Sequence, residues 1–149
     1  MRAILGIFLG LIAGLVVAVI TGAVAIGATF SLPQRLDPTN GEQVAMAFGA
    51  MSTTTQIALA IVWLLTALAA AFVAKLVSRS AVAAWIAALI FTIYFGLDAF
   101  LLPLHLPLGI AALWVLAPLI GGLIGNRLVR DAPAPAATTV EAEDAPADL

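Results

Sequence analysis

The sequence predicts an all-α integral membrane fold: four transmembrane helices packed as a bundle, with a short amphipathic helix in an outer loop. Three observations carry this. First, 64 % of the 149 residues are apolar and 9 % are charged, against roughly 45–50 % and about 25 % in soluble domains, so polar residues are too few to cover a soluble surface. Second, four stretches of about 20 mostly apolar residues match the thickness of a bilayer's hydrocarbon core. Third, small residues recur at four-residue spacing within these stretches, the pattern that lets helices approach closely in lipid. The same composition excludes a soluble globular enzyme and a disordered chain. The absence of cysteine excludes a disulfide-stapled domain, thiolate nucleophiles, thiolate zinc sites and iron–sulfur ligation. A β-barrel would need apolar and polar residues in alternation, and these stretches are apolar all round.

The first span runs from Ala3 to about Phe30 without a charge. Arg2 and the Ala23-Val24-Ala25 run imitate a signal peptide. Secretory apolar regions are about 7–15 residues long, so a retained anchor is expected. Gly6, Gly10, Gly14, Ala18 and Gly22 fall at every fourth position and make a smooth face for helix packing. In the loop from Ser31 to Gln56, Asp37 is placed to cap a short helix with Pro38 at its first position. Val44, Ala47, Phe48 and Met51 then recur at helical spacing, as an apolar face laid on the bundle or in the headgroups. Ser52 to Thr55 reads as the cap into the second span.

The second span covers about 57–76, carries Trp63, Ala67, Ala70, Ala71 and Ala74, and has Lys75 at its end. The third, about 81–102, repeats the small-residue spacing from Ser80 through Ala84, Ala88 and Thr92 to Gly96, and holds one charge, Asp98. Pro103-Leu104-His105-Leu106-Pro107 makes a tight, stiff turn. The fourth span, about 108–129, presents Ala117, Gly121 and Gly125 on one face, with Pro118 as a candidate kink and Arg127 in its last turn. Trp63 and Trp114 each lie six residues into their spans, where they either face the interface or pack between helices. Residues 131–149 differ in kind. They hold Pro133, Pro135 and Pro146, and five acidic residues with no basic one, so a disordered acidic tail is expected after a membrane domain covering 1–130. The tail carries −5, while residues 1–130 carry six basic against three acidic residues, +3. The low isoelectric point is therefore the tail's.

Orientation follows from the basic residues. Arg2, Lys75, Arg79, Arg127 and Arg130 fall on one side of the membrane and Arg35 on the other, which puts both termini in the cytoplasm by the positive-inside rule.

Chemistry has little to work with. The polar groups within the spans are Thr21, Thr66, Thr92, Tyr94 and Asp98, beside the three tryptophans, and His105 is the single histidine. No HExxH, phosphate loop, nucleophile triad or paired intramembrane carboxylate is present, so no catalytic, cofactor or metal site is expected, and the chain is read as a non-enzyme. Nor is there the basic groove with interleaved aromatics that nucleic acid requires. The threonines are expected to bond their own helix backbone. Asp98 is the exception worth weighing, because an ionisable residue inside a span is a functional candidate. Tyr94 lies one turn before it and His105 seven residues after, and a proton or substrate site at the outer mouth could use all three. Against that, at about 1.5 Å per residue Asp98 lies about 25 Å across a core of about 30 Å, within reach of interfacial water.

The span count invites comparison with small multidrug resistance transporters, but those carry an acidic residue in the middle of the first helix, and this first span has none. Pro33 with Leu36-Asp37-Pro38-Thr39, the Trp63 helix with its alanine run ending in Lys75 and Arg79, and Pro103-Leu104-His105 carry another likeness. Over about residues 1–130 the chain resembles a family of small, uncharacterised bacterial four-helix inner-membrane proteins. That resemblance implies the architecture and no assigned activity. The expected function is a non-catalytic structural, accessory or assembly role through helix–helix contacts. The competing expectation is a small homo-oligomeric transporter with Asp98 as its coupling residue. The expected partners are the lipid bilayer and either further copies of the chain or another membrane protein; no cofactor and no nucleic acid are expected.

Overall fold

A computed structural model describes residues 1–30, 39–101 and 107–130; in Gly41, Val44, Ala45, Phe48 and residues 98–101 only the backbone is described. Within these residues the chain is entirely helical: α1 (Arg2–Thr29), α2 (Gly41–Gly49), α3 (Thr53–Ser78), α4 (Ala81–Leu101) and α5 (Leu108–Leu128). Helices α1, α3 and α5 are each long and apolar enough to cross a membrane, while α4 is apolar over the shorter stretch Ala81–Leu97.

The helix ends follow local chemistry. Ser52 caps α3, its hydroxyl accepting from the Thr55 N–H at 3.2 Å, so the helix begins at Thr53, four residues before the apolar run at Ile57. Hydropathy does not register a capped first turn made of threonines. The cap of α2 is Asn40, whose side-chain oxygen accepts from the N–H groups of Glu42 and Gln43 at 3.1 and 3.3 Å. This corrects the expectation of Asp37 and Pro38 in that role. Those two residues lie outside the described residues; the helix starts at Gly41 because Asn40 supplies the acceptor there. Ala47 and Met51 of the expected apolar face are buried. At the other end of α3, Arg79 adopts the left-handed conformation (φ 55°, ψ 25°) and its N–H donates to the Lys75 carbonyl at 2.7 Å. Only Arg79 and Ser80 then separate α3 from α4. Ser80 closes this hairpin, its hydroxyl accepting from the Ala83 N–H at 3.4 Å.

The four long helices do not share the core equally. Helix α3 packs against α1, α4 and α5; α4 also touches α1 and α5, and α1 and α5 lie apart. Gly6 of α1 meets Ala74 and Ser78, and Gly10 meets Ala70 and Ala74, so α1 runs antiparallel to α3. Gly121 meets Leu64 and Gly125 meets Leu68, so α5 runs parallel to α3 on its other flank.

Burial is inverted relative to a soluble protein. Ala67, Ala70, Ala71 and Ala74 of α3 and Ala84, Ala87 and Ala88 of α4 have no exposed surface, whereas Ile4, Phe8, Leu15, Val19, Val82 and Ile93 are largely exposed. In α1 the buried residues are glycines alone, Gly6, Gly10 and Gly14. Small residues along much of the α1, α3 and α4 contact faces and large apolar residues outside suit a solvent that is itself apolar, where close backbone approach does the work that hydrophobic burial does in water.

Candidate functional site

The polar groups within the long helices are mostly spent on their own backbone. Thr21, Thr66 and Thr92 donate to the carbonyls of Val17, Val62 and Ala88 at 2.6, 2.8 and 2.9 Å. Thr29 does the same to Ala25 at 2.6 Å. Thr55 reaches further, donating to the Thr29 carbonyl at 2.9 Å and tying the end of α1 to the start of α3.

Of the candidate set Asp98, Tyr94 and His105, the Tyr94 side chain alone lies among the described residues. Tyr94 is 61 % exposed and touches Phe95 edge-on, with ring centroids 5.5 Å apart. Asp98 lies in α4 one turn beyond Tyr94, with only its backbone described, and His105 lies outside the described residues. Among the described residues no three histidine, cysteine, aspartate or glutamate side chains come together as a metal ion would require.

What the structure does bring together is a set of helix contacts, in two kinds. Towards one end, backbone meets backbone. A Cβ added to Gly10 would lie 2.5 Å from the Ala70 carbonyl oxygen, and one added to Gly6 would lie 2.7 Å from that of Ala74. On the opposite flank of α3, Gly121 and Gly125 sit against the carbonyls of Leu64 and Leu68 even more closely. A Cβ added to Gly14 would lie 2.5 Å from the Phe91 ring, and one added to Gly122, which the four-residue spacing does not include, would lie 2.5 Å from the Ala88 Cβ. Gly22 departs from its expected role. A Cβ added there would have the Val62 side chain as its nearest neighbour, at 4.0 Å, so the α3 backbone does not come close at this level.

Towards the other end, aromatic rings fill the wider gap. Trp63 stacks on Phe95 with centroids 4.8 Å apart and meets Trp114 edge-on at 3.9 Å. Both tryptophans are buried, so they pack rather than face the interface. The Trp114 indole N–H donates to the Gln56 carbonyl at 3.0 Å, satisfying its one polar atom and pinning α5 to α3.

Lys75 is the least expected member. It reads in sequence as a charge between spans, yet it is only 4 % exposed. Its ammonium donates to the Asn126 carbonyl on α5 at 2.8 Å. That carbonyl belongs to the last turn of α5, where the helix dipole and unpaired carbonyls favour a cation. The Asn126 side-chain oxygen beside it is buried without a hydrogen-bond partner among the described residues. No sequence periodicity pairs residues 75 and 126; only the parallel register of α3 and α5 does.

These contacts define a class by architecture: among the described residues the chain forms helices and no strand, three of the helices are long and apolar enough to cross a membrane, and they join through small-residue faces. Compared with family models, with curated proteins and with solved structures, the chain matches none.

Proposed function

We propose that this is a small polytopic protein of the bacterial inner membrane, with α1, α3, α4 and α5 all crossing the bilayer and both termini in the cytoplasm. Its role in this reading is non-catalytic, structural or accessory, exerted through helix–helix contacts. The observation that carries it is the inverted burial, with fully covered alanines and glycines inside and exposed isoleucine, leucine, valine and phenylalanine outside. A surface of that kind in water would aggregate; in lipid it is already solvated. The orientation rests on Arg2, Lys75, Arg79, Arg127 and Arg130 sharing one end of the helices.

Topology is directly testable because the chain contains no cysteine. In intact cells, a membrane-impermeant maleimide should label Thr39→Cys, while Ala137→Cys should react only after the cells are opened. Labelling of both from the same side would overturn the four-span arrangement.

The accessory role is tested at Asp98. Asparagine keeps the size and hydrogen bonding of aspartate and removes the charge. A strain lacking the protein should be complemented as well by Asp98→Asn as by the parent chain. A normally expressed, normally folded Asp98→Asn protein that fails to complement would move the function to a small homo-oligomeric transporter coupled through that carboxylate.

A further inference from the structure

We infer that the end of the bundle bearing Arg2, Arg79, Arg127 and Arg130 is a docking surface for the headgroups of anionic phospholipids. The inference rests on the membrane reading above. The helix register brings the four residues together although they are far apart in sequence. Gly6 lies against Ser78, so α1 begins where α3 ends, and Lys75 reaches the Asn126 carbonyl, so α3 and α5 end at one level. All four arginine side chains are exposed. The one acidic side chain among the described residues is Glu42, on α2, which precedes the opposite end of α3.

Helix dipoles do not offset this charge. At this end α1 and α4 begin while α3 and α5 end, so two positive termini stand beside two negative ones and nearly cancel. The arginines are left as the net field. Their place favours a lipid over a soluble anion. They sit at the ends of helices long enough to cross a membrane, level with the plane that headgroup phosphates occupy. Met1, Ile4, Leu5 and Phe8 form an exposed apolar face beside Arg2 at the same end. A guanidinium next to an exposed apolar helix face matches a molecule that joins a phosphate to an acyl chain. Trp85, half-buried one turn into α4, lies where tryptophan characteristically marks an interface. Clusters of basic residues beside a span are drawn to anionic lipid with an effect of about fivefold in binding per residue. Segment 131–149, with five acidic residues, is the rival occupant.

The test reconstitutes the full-length chain in nanodiscs of phosphatidylcholine mixed with phosphatidylglycerol and measures by mass spectrometry which lipid stays with the protein on release. Phosphatidylglycerol should be enriched, less so at high salt, and each replacement among Arg79→Gln, Arg127→Gln and Arg130→Gln should lower the enrichment about fivefold. Tryptophan fluorescence of each variant reports that Trp63 and Trp114 remain paired. No enrichment in the parent chain would overturn the inference. So would equal enrichment in the parent and the triple variant, or enrichment that emerges only when residues 131–149 are removed, which would assign the surface to the tail. A chain that fails to enter the nanodisc at all would instead overturn the membrane reading.

Discussion

Gly121→Leu should prevent α5 from docking on α3, and Gly121→Ala alone should destabilise the fold by about 1–3 kcal/mol. The reason lies in what an added carbon meets. At Gly121 it falls on the Leu64 carbonyl and the backbone behind it, none of which can rotate away, so the helices must separate. Separation then weakens the neighbouring contact of Gly125 with Leu68 and the Lys75 hydrogen bond to the next residue, Asn126. Gly27 provides the internal control, since a Cβ there meets nothing within 4 Å. Gly27→Ala should be neutral or stabilising by about 0.5–1 kcal/mol, because alanine loses less backbone entropy in a helix than glycine does. Unfolding of all three proteins in one detergent, followed by circular dichroism and tryptophan fluorescence, checks both signs. Gly121→Ala as stable as Gly27→Ala would show that the α3–α5 contact is not close.

Lys75→Met should cost about 1.5–3 kcal/mol. Methionine approximates the length and volume of the lysine stem, so packing is nearly kept and the change isolates the ammonium. What is lost is a charge-assisted hydrogen bond at 2.8 Å to a carbonyl in the last turn of α5, and that carbonyl keeps its desolvation when the donor goes. Lys75→Ala should be worse still, because it also leaves a void between α3 and α5. The same unfolding measurement decides the sign. Equal or greater stability of Lys75→Met would mean that the desolvation of the ammonium outweighs its bond, as happens for some buried charges.

Legibility in the sequence tracked the locality of the cause. The threonines that bond their own helices were readable, because donor and acceptor are four residues apart on one turn. The glycine faces of α1 and α5 were readable for a related reason. Four-residue spacing stays on one side of a helix, and only a small residue there leaves the backbone bare. The failures have tertiary causes. Gly22 shares the register of Gly6, Gly10 and Gly14, but its neighbour is Val62 rather than an alanine, and nothing in α1 encodes what α3 presents. Gly122 lies off the register of Gly121 and Gly125, and it is buried because Ala88 of a third helix fits over it. Matching depth of Trp63 and Trp114 was visible, but their pairing required α3 and α5 to be parallel neighbours. Lys75 stands at the end of an apolar run, the usual place for a loop charge, and the Asn126 carbonyl it reaches stands 51 residues further along.

The central place of α3 has a consequence for how the chain comes into being. Its first neighbour, α1, is made before it, so the face carrying Ala70 and Ala74 finds Gly6 and Gly10 waiting. Its other flank, at Leu64 and Leu68, has no such luck. The glycines that fit it lie in α5, whose last residue, Leu128, is polymerised 50 residues after α3 ends at Ser78. At about 5–20 residues per second, a ribosome takes several seconds to cover that distance. For that interval the half-dressed helix presents a backbone groove to whatever drifts past, and a nascent second copy carries the very glycines that fit. The two-residue turn at Arg79 and Ser80 works against this hazard, since it holds α4 beside α3 as soon as α4 is made, before α5 follows.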